Sequence, residues 1–395
     1  MTHTEQFEPW QGLETTLPSS WYLEDAVFDL EREHIFCRDW VCVGREEELP
    51  QAGDHKILDV VGESIILLRN TEGALRAFYN VCRHRGARIC PADPQQQNDP
   101  ALSFKGGVVN RKVITCPYHA WTYDLDGQLL RAPYISADTG FRVENVHLHP
   151  VGVETWGGFV FLNLTPSEAP DFQEVISGPA ASFSRYPLSE LRIARTIEYE
   201  IQANWKVLCE NYNECYHCGP VHPELCRIVP AFRDAGGADL DWQRGIPHRR
   251  GATTFTASGE STRRSFPGLN EDEQLRHKGD LVYPNLFLSL ARDHVAVFIL
   301  QANSAGRTSL TCQFLFEAHE MEKPGFDPSD AVDFWHLVNL QDWAICERVQ
   351  QGMSARVHEH GVFSQMEDWN LDIRRYVSKR IGPYMPGQAV PPEKL

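Results

Sequence analysis

The sequence predicts an α+β protein of two domains, a small all-β domain followed by a larger one in which an antiparallel sheet packs with helices. Three observations lead there. The chain has 395 residues, too many for one small core and suited to two domains or one large elaborated one. From about residue 53 to 165, short β-rich runs are punctuated by Gly or Asn/Asp turns. Beyond residue 190, strand-like runs are mixed with helical patterns.

Taken in order, residues 1–50 mix helical and loop signals and are expected to form an N-terminal segment packing on the second domain. Within it, Leu23 to Phe36 reads as an amphipathic helix on Val27, Leu30 and Phe36. Residues 51–165 form the β domain, with strands at Lys56–Val61, Ser64–Arg69, Leu75–Asn80, Lys112–Cys116 and Gly158–Leu164. Residues 166–395 form the second domain, opening on a Ser-, Pro- and Glu-rich connector, Pro166–Pro187. A strand at Arg192–Gln202 leads into a helix from Asn204 to about His217. Further strands follow at Leu286–Leu290, Val295–Gln301 and Ser309–Glu317, then a long helix from near Ser329 to about Ser354. Residues 232–282, rich in Gly, Arg and Asp, read as a long polar loop over a site.

Composition narrows the class. Hydrophobic residues make up 42% and charged residues 23%, as in ordinary globular chains. The longest apolar run is Val295 to Leu300, whereas a membrane-spanning helix needs about 20 residues. The opening MTHTEQFEPWQG lacks the basic start and apolar core of a secretory signal. Together these place the chain in the cytoplasm. The net charge, 37 − 54 = −17, argues against nucleic acid and anionic membranes as partners. It suits a cationic ligand, or simply a solvated acidic surface. Eleven cysteines in a chain without an export signal point to free thiols, some of them metal ligands.

Two constellations carry chemistry. Cys82-Arg-His84 is followed by Cys116-Pro-Tyr-His119, each pair mixed and each after a strand-like run. A Cys₂His₂ set suits tetrahedral zinc, or a [2Fe–2S] cluster with thiolates on one iron and imidazoles on the other. Two loop tips pinching a two-iron cluster explain mixed pairs better than a zinc finger, whose histidines sit together on a helix. In the second constellation Glu210, Glu214 and His217 fall at i, i+4 and i+7, which on a continuous helix is one face. His222 lies just past the Gly219-Pro220 break. On the long helix, Asp342 occupies a slot in the apolar stripe Phe334, Val338, Ile345, Val349. A carboxylate there is costly unless ion-paired or metal-bound. His217, His222 and Asp342 make a 2-His-1-carboxylate triad for mononuclear Fe(II), with positions left for O₂.

The Cys-x-His and Cys-x-x-His pairs, Asn204-Trp-Lys, Glu210-Asn-x-x-Glu214-x-Tyr-His217-x₄-His222 and the late Asp342 together resemble the catalytic subunit of Rieske non-haem iron oxygenases, over roughly residues 20–380. The resemblance implies an N-terminal Rieske domain and a C-terminal helix-grip catalytic domain. It implies that Cys82 and Cys116 bind the inner iron of the [2Fe–2S] cluster, and His84 and His119 the outer one. It implies electrons from NAD(P)H through an external reductase or ferredoxin, and a head-to-tail homotrimer. Glu214 matches the acidic residue that joins the cluster of one subunit to the iron of the next, and Asn211 an Asn near the iron. The 32 residues from His84 to Cys116 exceed the family's usual spacing; the excess, Pro91–Lys112, reads as a surface insertion.

Ring-dihydroxylating relatives usually carry Asp at the bridging position. Glu214-Cys-Tyr-His217-Cys resembles instead the branch acting on choline, glycine betaine and carnitine, which implies hydroxylation or N-demethylation of a quaternary amine. Trp343 and Phe298 are candidates for the aromatic faces such a cation needs. Aromatic ring dihydroxylation is the alternative, and a non-catalytic Rieske redox or ligand-sensing protein a remoter one.

Overall fold

The computed structural model describes residues 13–91, 109, 112–234, 240–367 and 369–385. The chain divides into two compact units: one of Phe36–Ala181 with Leu188–Glu190, the other of Met1–Ile35, Ser182–Pro187 and Leu191–Leu395. Both mix antiparallel sheets with helices or loops.

The first unit is built on a six-stranded antiparallel sheet in the order Val41–Arg45, Phe159–Asn163, Pro150–Trp156, Leu75–Tyr79, Glu63–Arg69, His55–Val60. A smaller sheet of Val113–Thr115, Thr122–Asp124 and Leu129–Arg131 stands beside it. The boundary read at residue 50 is too late, because Val41–Arg45 pairs with Phe159–Asn163 and so belongs here. The connector, too, is not featureless: Phe172–Ser182 is a helix that buries Phe172 and Ile176. The insertion at 91–112 falls almost wholly outside the described residues.

The larger unit holds a second six-stranded antiparallel sheet: Leu191–Ile201, Arg307–Glu317, Val295–Ser304, Leu286–Leu290, Arg276–Val282, Ile246–Pro247. Leu286–Leu290 and Val295–Leu300 are buried at every position, so this part of the sheet is covered on both faces. The long helix runs Ser329–Met353 and buries Phe334, Trp335, Val338, Trp343, Cys346 and Gln350. Its buried face departs from the predicted stripe at the C-terminal end, where Val349 is 40% exposed and Cys346 and Gln350 take the inward positions. The segment read as a polar loop contains the strand Arg276–Val282, concealed by its charged sequence RHKGDLV.

The N-terminal helix starts at Asp25, two residues later than predicted, runs as an α-helix to Glu31 and continues as a π-helix over Arg32–Phe36, the predicted end. Its Glu31 is fully buried and accepts from the Lys206 ammonium and, at 2.8 Å, from the Trp205 indole. A buried ion pair of this kind adds little net stability, but losing one partner would leave an uncompensated buried charge. Here it ties the helix Trp205–Tyr212 to the N-terminal segment.

Candidate metal centres

In the first unit, two loop tips carry the four mixed ligands. Asn80 organises the first tip. Its amide donates to the Cys90 carbonyl at 2.7 Å, and its oxygen accepts from the Ile89 and Cys90 amides at 3.1 and 2.8 Å. Cys82 N–H donates to Ala87 O at 2.8 Å and Gly86 N–H to Cys82 O at 3.0 Å. Gly86 closes that turn at φ +72°, a conformation a side chain would strain. The second tip is closed by Cys116 N–H to Trp121 O, 2.9 Å, and Ala120 N–H to Cys116 O, 3.1 Å.

The two tips meet. Cys82 and Cys116, only 3% and 2% exposed, sit sulfur against sulfur. The Cys116 thiol donates to Cys82, which pulls Cys82 down to about 6 and pushes Cys116 up. Tyr123 OH lies 3.3 Å from Cys82 Sγ and accepts from Arg83 N–H at 3.2 Å. The histidines stand outside the thiols. Both are exposed, their rings 4.7 Å apart at 72°. Trp121 stacks on His84 at 4.8 Å, and Tyr118 lies against His119 at 3.7 Å. Buried sulfurs with exposed imidazoles on two pinned tips form a donor set that suits a [2Fe–2S] cluster.

In the larger unit the helix that opens at Asn204 is capped by that residue's own side chain, which accepts from Lys206 N–H at 3.0 Å. The helix ends at Tyr212, five residues short of the predicted end. Glu210, Glu214 and His217 therefore do not share one helical face. The Glu214 carboxylate competes for the backbone: it accepts from His217 N–H at 3.1 Å and from the His217 ring at Nδ1, 2.5 Å. Short helices follow at Cys218–Val221 and Pro223–Ile228, with His222 at their junction. Glu210 points elsewhere, to Tyr22 OH at 2.5 Å, and burial raises it to about 7.

His217, His222 and Asp342 nonetheless converge. His217 Nε2 and His222 Nε2 are 3.2 Å apart, and Asp342 Oδ1 lies 2.9 Å from His222 Nε2 and 3.3 Å from His217 Nε2. Each imidazole is oriented from behind. Glu214 holds Nδ1–H of His217, and Gln341 Oε1 accepts from Nδ1 of His222 at 2.8 Å, which leaves both Nε2 lone pairs facing one point. Gln341 is in turn held by Glu224 at 3.2 Å. Asn211 Nδ2 reaches His217 Nε2 at 3.3 Å, beside that point. Burial opposes charge on His217 and Asp342, yet their mutual hydrogen bonds win. The imidazole is raised and the carboxylate lowered. A proton is thus favoured where a divalent cation would sit, and the donor chemistry suits Fe(II). Gln341 escaped the sequence reading; its only signal was adjacency to Asp342. Of the proposed aromatic candidates, Trp343 packs edge-on against Tyr199 and Phe298 against Trp335 and Tyr212.

The comparisons with known proteins match a domain of each kind. Residues 39–151 match the Rieske [2Fe-2S] domain, and residues 188–382 the catalytic domain of the ring hydroxylating alpha subunit. The chain is 31% identical over 350 residues to the carnitine monooxygenase oxygenase subunit of Acinetobacter pittii, covering 86% of each chain. This chain is a Rieske oxygenase. It is also 27% identical over 387 residues to the glycine betaine monooxygenase oxygenase subunit of Pseudomonas aeruginosa, covering 90% of this chain and 86% of that one. Among solved structures, the quaternary ammonium Rieske monooxygenase CntA with γ-butyrobetaine superposes with a TM-score of 0.70 at 26% identity, over 93% and 96% of the two chains. Naphthalene 1,2-dioxygenase from Rhodococcus, at 18% identity and TM-score 0.68, shares the fold. As a Rieske oxygenase the chain uses a Rieske cluster and a mononuclear iron, takes O₂, and draws its electrons from a separate reductase. No helix among the described residues is long and apolar enough to cross a membrane.

Proposed function

We propose that this oxygenase hydroxylates or N-demethylates a small quaternary amine of the betaine or carnitine type. The single observation that carries the site is the meeting of three ligand atoms, all within 4.8 Å of one another, from His217, His222 and Asp342. The substrate class is supported by the relatives named for carnitine and glycine betaine. Glu214 at the bridging position supports it independently.

His217, His222 and Asp342 would hold the iron, and Cys82, Cys116, His84 and His119 the cluster. Iron at such an open-faced triad supplies reductive activation of O₂. The protein's own part is positional. Glu214 and Gln341 set the tautomers, so that each histidine offers Nε2. The low exposure of the triad keeps bulk water from it: 16% for the His217 and Asp342 side chains and 1% for His222. In a head-to-tail homotrimer, Glu214 would take a second partner, the exposed His119 of the neighbouring subunit, coupling electron arrival to the imidazole it already holds. Asn211 would guard the lone pair of His217. The eleven cysteines, none in a disulfide, suit a cytoplasmic enzyme.

The test is O₂ consumption by the reconstituted enzyme with a surrogate reductase, over betaines, choline, carnitine and simple aromatic acids. Substrate-dependent uptake with a quaternary amine, and one labelled oxygen atom in the product, is the expected result. Two labelled atoms in a cis-diol would establish ring dihydroxylation instead.

A further inference from the structure

Two cysteines flank His217, the first histidine of the triad, and take no part in either donor set. In Cys215-Tyr-His217-Cys218 they stand three residues apart, a Cys-x-x-Cys spacing. Both are buried, 7% and 3% exposed, and both are free thiols. Cys218 N–H donates to Cys215 O at 3.0 Å, so the backbone between them is a closed turn. Such a turn holds its end Cα atoms within about 7 Å, and a disulfide spans about 4.4–6.8 Å. The side chains lean together as well, for the Cys218 thiol donates to the Cys215 sulfur. Two sulfurs already in contact across a closed turn can be joined without moving the elements around them.

A bond between these sulfurs would act on the triad. The residues it encloses are Tyr216 and His217. The His217 N–H and Nδ1 are both held by Glu214, the residue just before Cys215, at 3.1 and 2.5 Å. Its Nε2 lies 3.2 Å from His222 Nε2 and 4.0 Å from Cys218 Sγ. The Cys218 carbonyl accepts from His222 N–H at 2.9 Å and from Cys226 Sγ at 3.3 Å. Both histidines are therefore tied to the backbone of the cysteine pair. The oxidant is generated nearby. Two electrons and two protons delivered to O₂ with no substrate to oxidise give hydrogen peroxide, and this dithiol is beside the place where O₂ is reduced.

We propose that Cys215 and Cys218 form a redox-sensitive dithiol, oxidised by hydrogen peroxide to a disulfide that disables the triad and reopened by a dithiol reductant. The proposal rests on the assignment of His217 to the iron site above. Peroxide takes one thiol to a sulfenic acid, releasing one water. The second thiol attacks that sulfur, forms the S–S bond and releases a second water. In sum, two thiols and one H₂O₂ give one disulfide and two waters, with two electrons passing from sulfur to peroxide. A dithiol reductant returns both thiols by exchange and becomes a disulfide itself. An oxygenase that turns over without its substrate thus arrests itself reversibly.

The experiment exposes the reconstituted holoenzyme to a small molar excess of hydrogen peroxide, alkylates free thiols and maps the peptide that carries both cysteines by mass spectrometry. The expected peptide has lost a pair of hydrogens and escaped alkylation at Cys215 and Cys218. Substrate-dependent O₂ uptake should fall about tenfold or more, as when a group that orients a metal ligand is lost, and dithiothreitol should restore it. Cys215→Ser and Cys218→Ser should match the untreated wild type in activity and lose the part of the inactivation that dithiothreitol reverses. If one Ser variant does not fold, the other and the wild-type peptide map decide. Thiols still reduced after treatment, a disulfide that leaves uptake intact, or reversible inactivation unchanged in the Ser variants overturns the proposal and leaves the triad standing. A His217→Ala enzyme that keeps its mononuclear iron overturns the assignment of His217, and this proposal with it.

Discussion

The two donor sets are built in opposite ways. In the β unit, Cys82 with His84 and Cys116 with His119 sit two and three residues apart on hairpin-like tips, each closed by its own backbone hydrogen bonds. In the larger unit, His217 and His222 come from a broken helical segment, and Asp342 from a helix 120 residues later. Each half of the first set is local, so within a half the motif and the geometry carry the same information. The second exists only after the sheet and the long helix have packed. Local sites survive damage elsewhere in the chain; assembled sites do not.

Removing Asp342 breaks the comparison most sharply. Asp342→Ala should bring substrate-dependent O₂ uptake to background and remove the mononuclear iron, while the visible and EPR signatures of the cluster persist. Loss of the cluster in that variant would show that the two sets are not independent. Glu214→Gln should lower turnover by about 100-fold with both metals still bound, the loss lying in reoxidation of the cluster rather than in substrate affinity. Rapid-mixing spectroscopy of the pre-reduced enzyme checks this, and near-normal reoxidation would remove the bridging role. Gln341→Leu should cost about tenfold in iron affinity, since His222 Nδ1–H loses its acceptor and the tautomer is freed. Competitive chelation reads that difference.

The smallest effect is on stability against pH. His248 is lowered in the fold, so between its ordinary 6.5 and about 4 the unfolded chain takes up a proton that the folded chain refuses. Stability should therefore fall as pH drops through that window, and His277 acts in the same direction. Denaturant unfolding between pH 7 and 4 should show a shallower slope in His248→Phe by up to about one proton. An identical slope would mean that His248 is protonated in the fold.

How much could be read beforehand differed by element. Strands with regular apolar character, such as Leu286–Leu290, were evident. Arg276–Val282 was not, since its polar residues include buried His277 and Lys278 and a half-buried Asp280. The helix from Asn204 was placed correctly at its start, where the cap is a local signal. It was overextended at its end, where the Glu214 side chain takes backbone and ring bonds that no periodicity reveals. The domain boundary was read too late, because the pairing of Val41–Arg45 with Phe159–Asn163 is a long-range fact.

The order of residues along the chain was enough to specify the chemistry: two thiol–imidazole pairs, two further histidines and an aspartate set into an apolar stripe. Those choices answer to ligand type and short spacing, which are written in one dimension. Packing in three dimensions supplied the rest: that Gln341 orients His222, that Glu210 faces Tyr22, and that His248 and His277 stack in the core. Each depends on which distant segments exclude water together, and burial is a property of the folded chain.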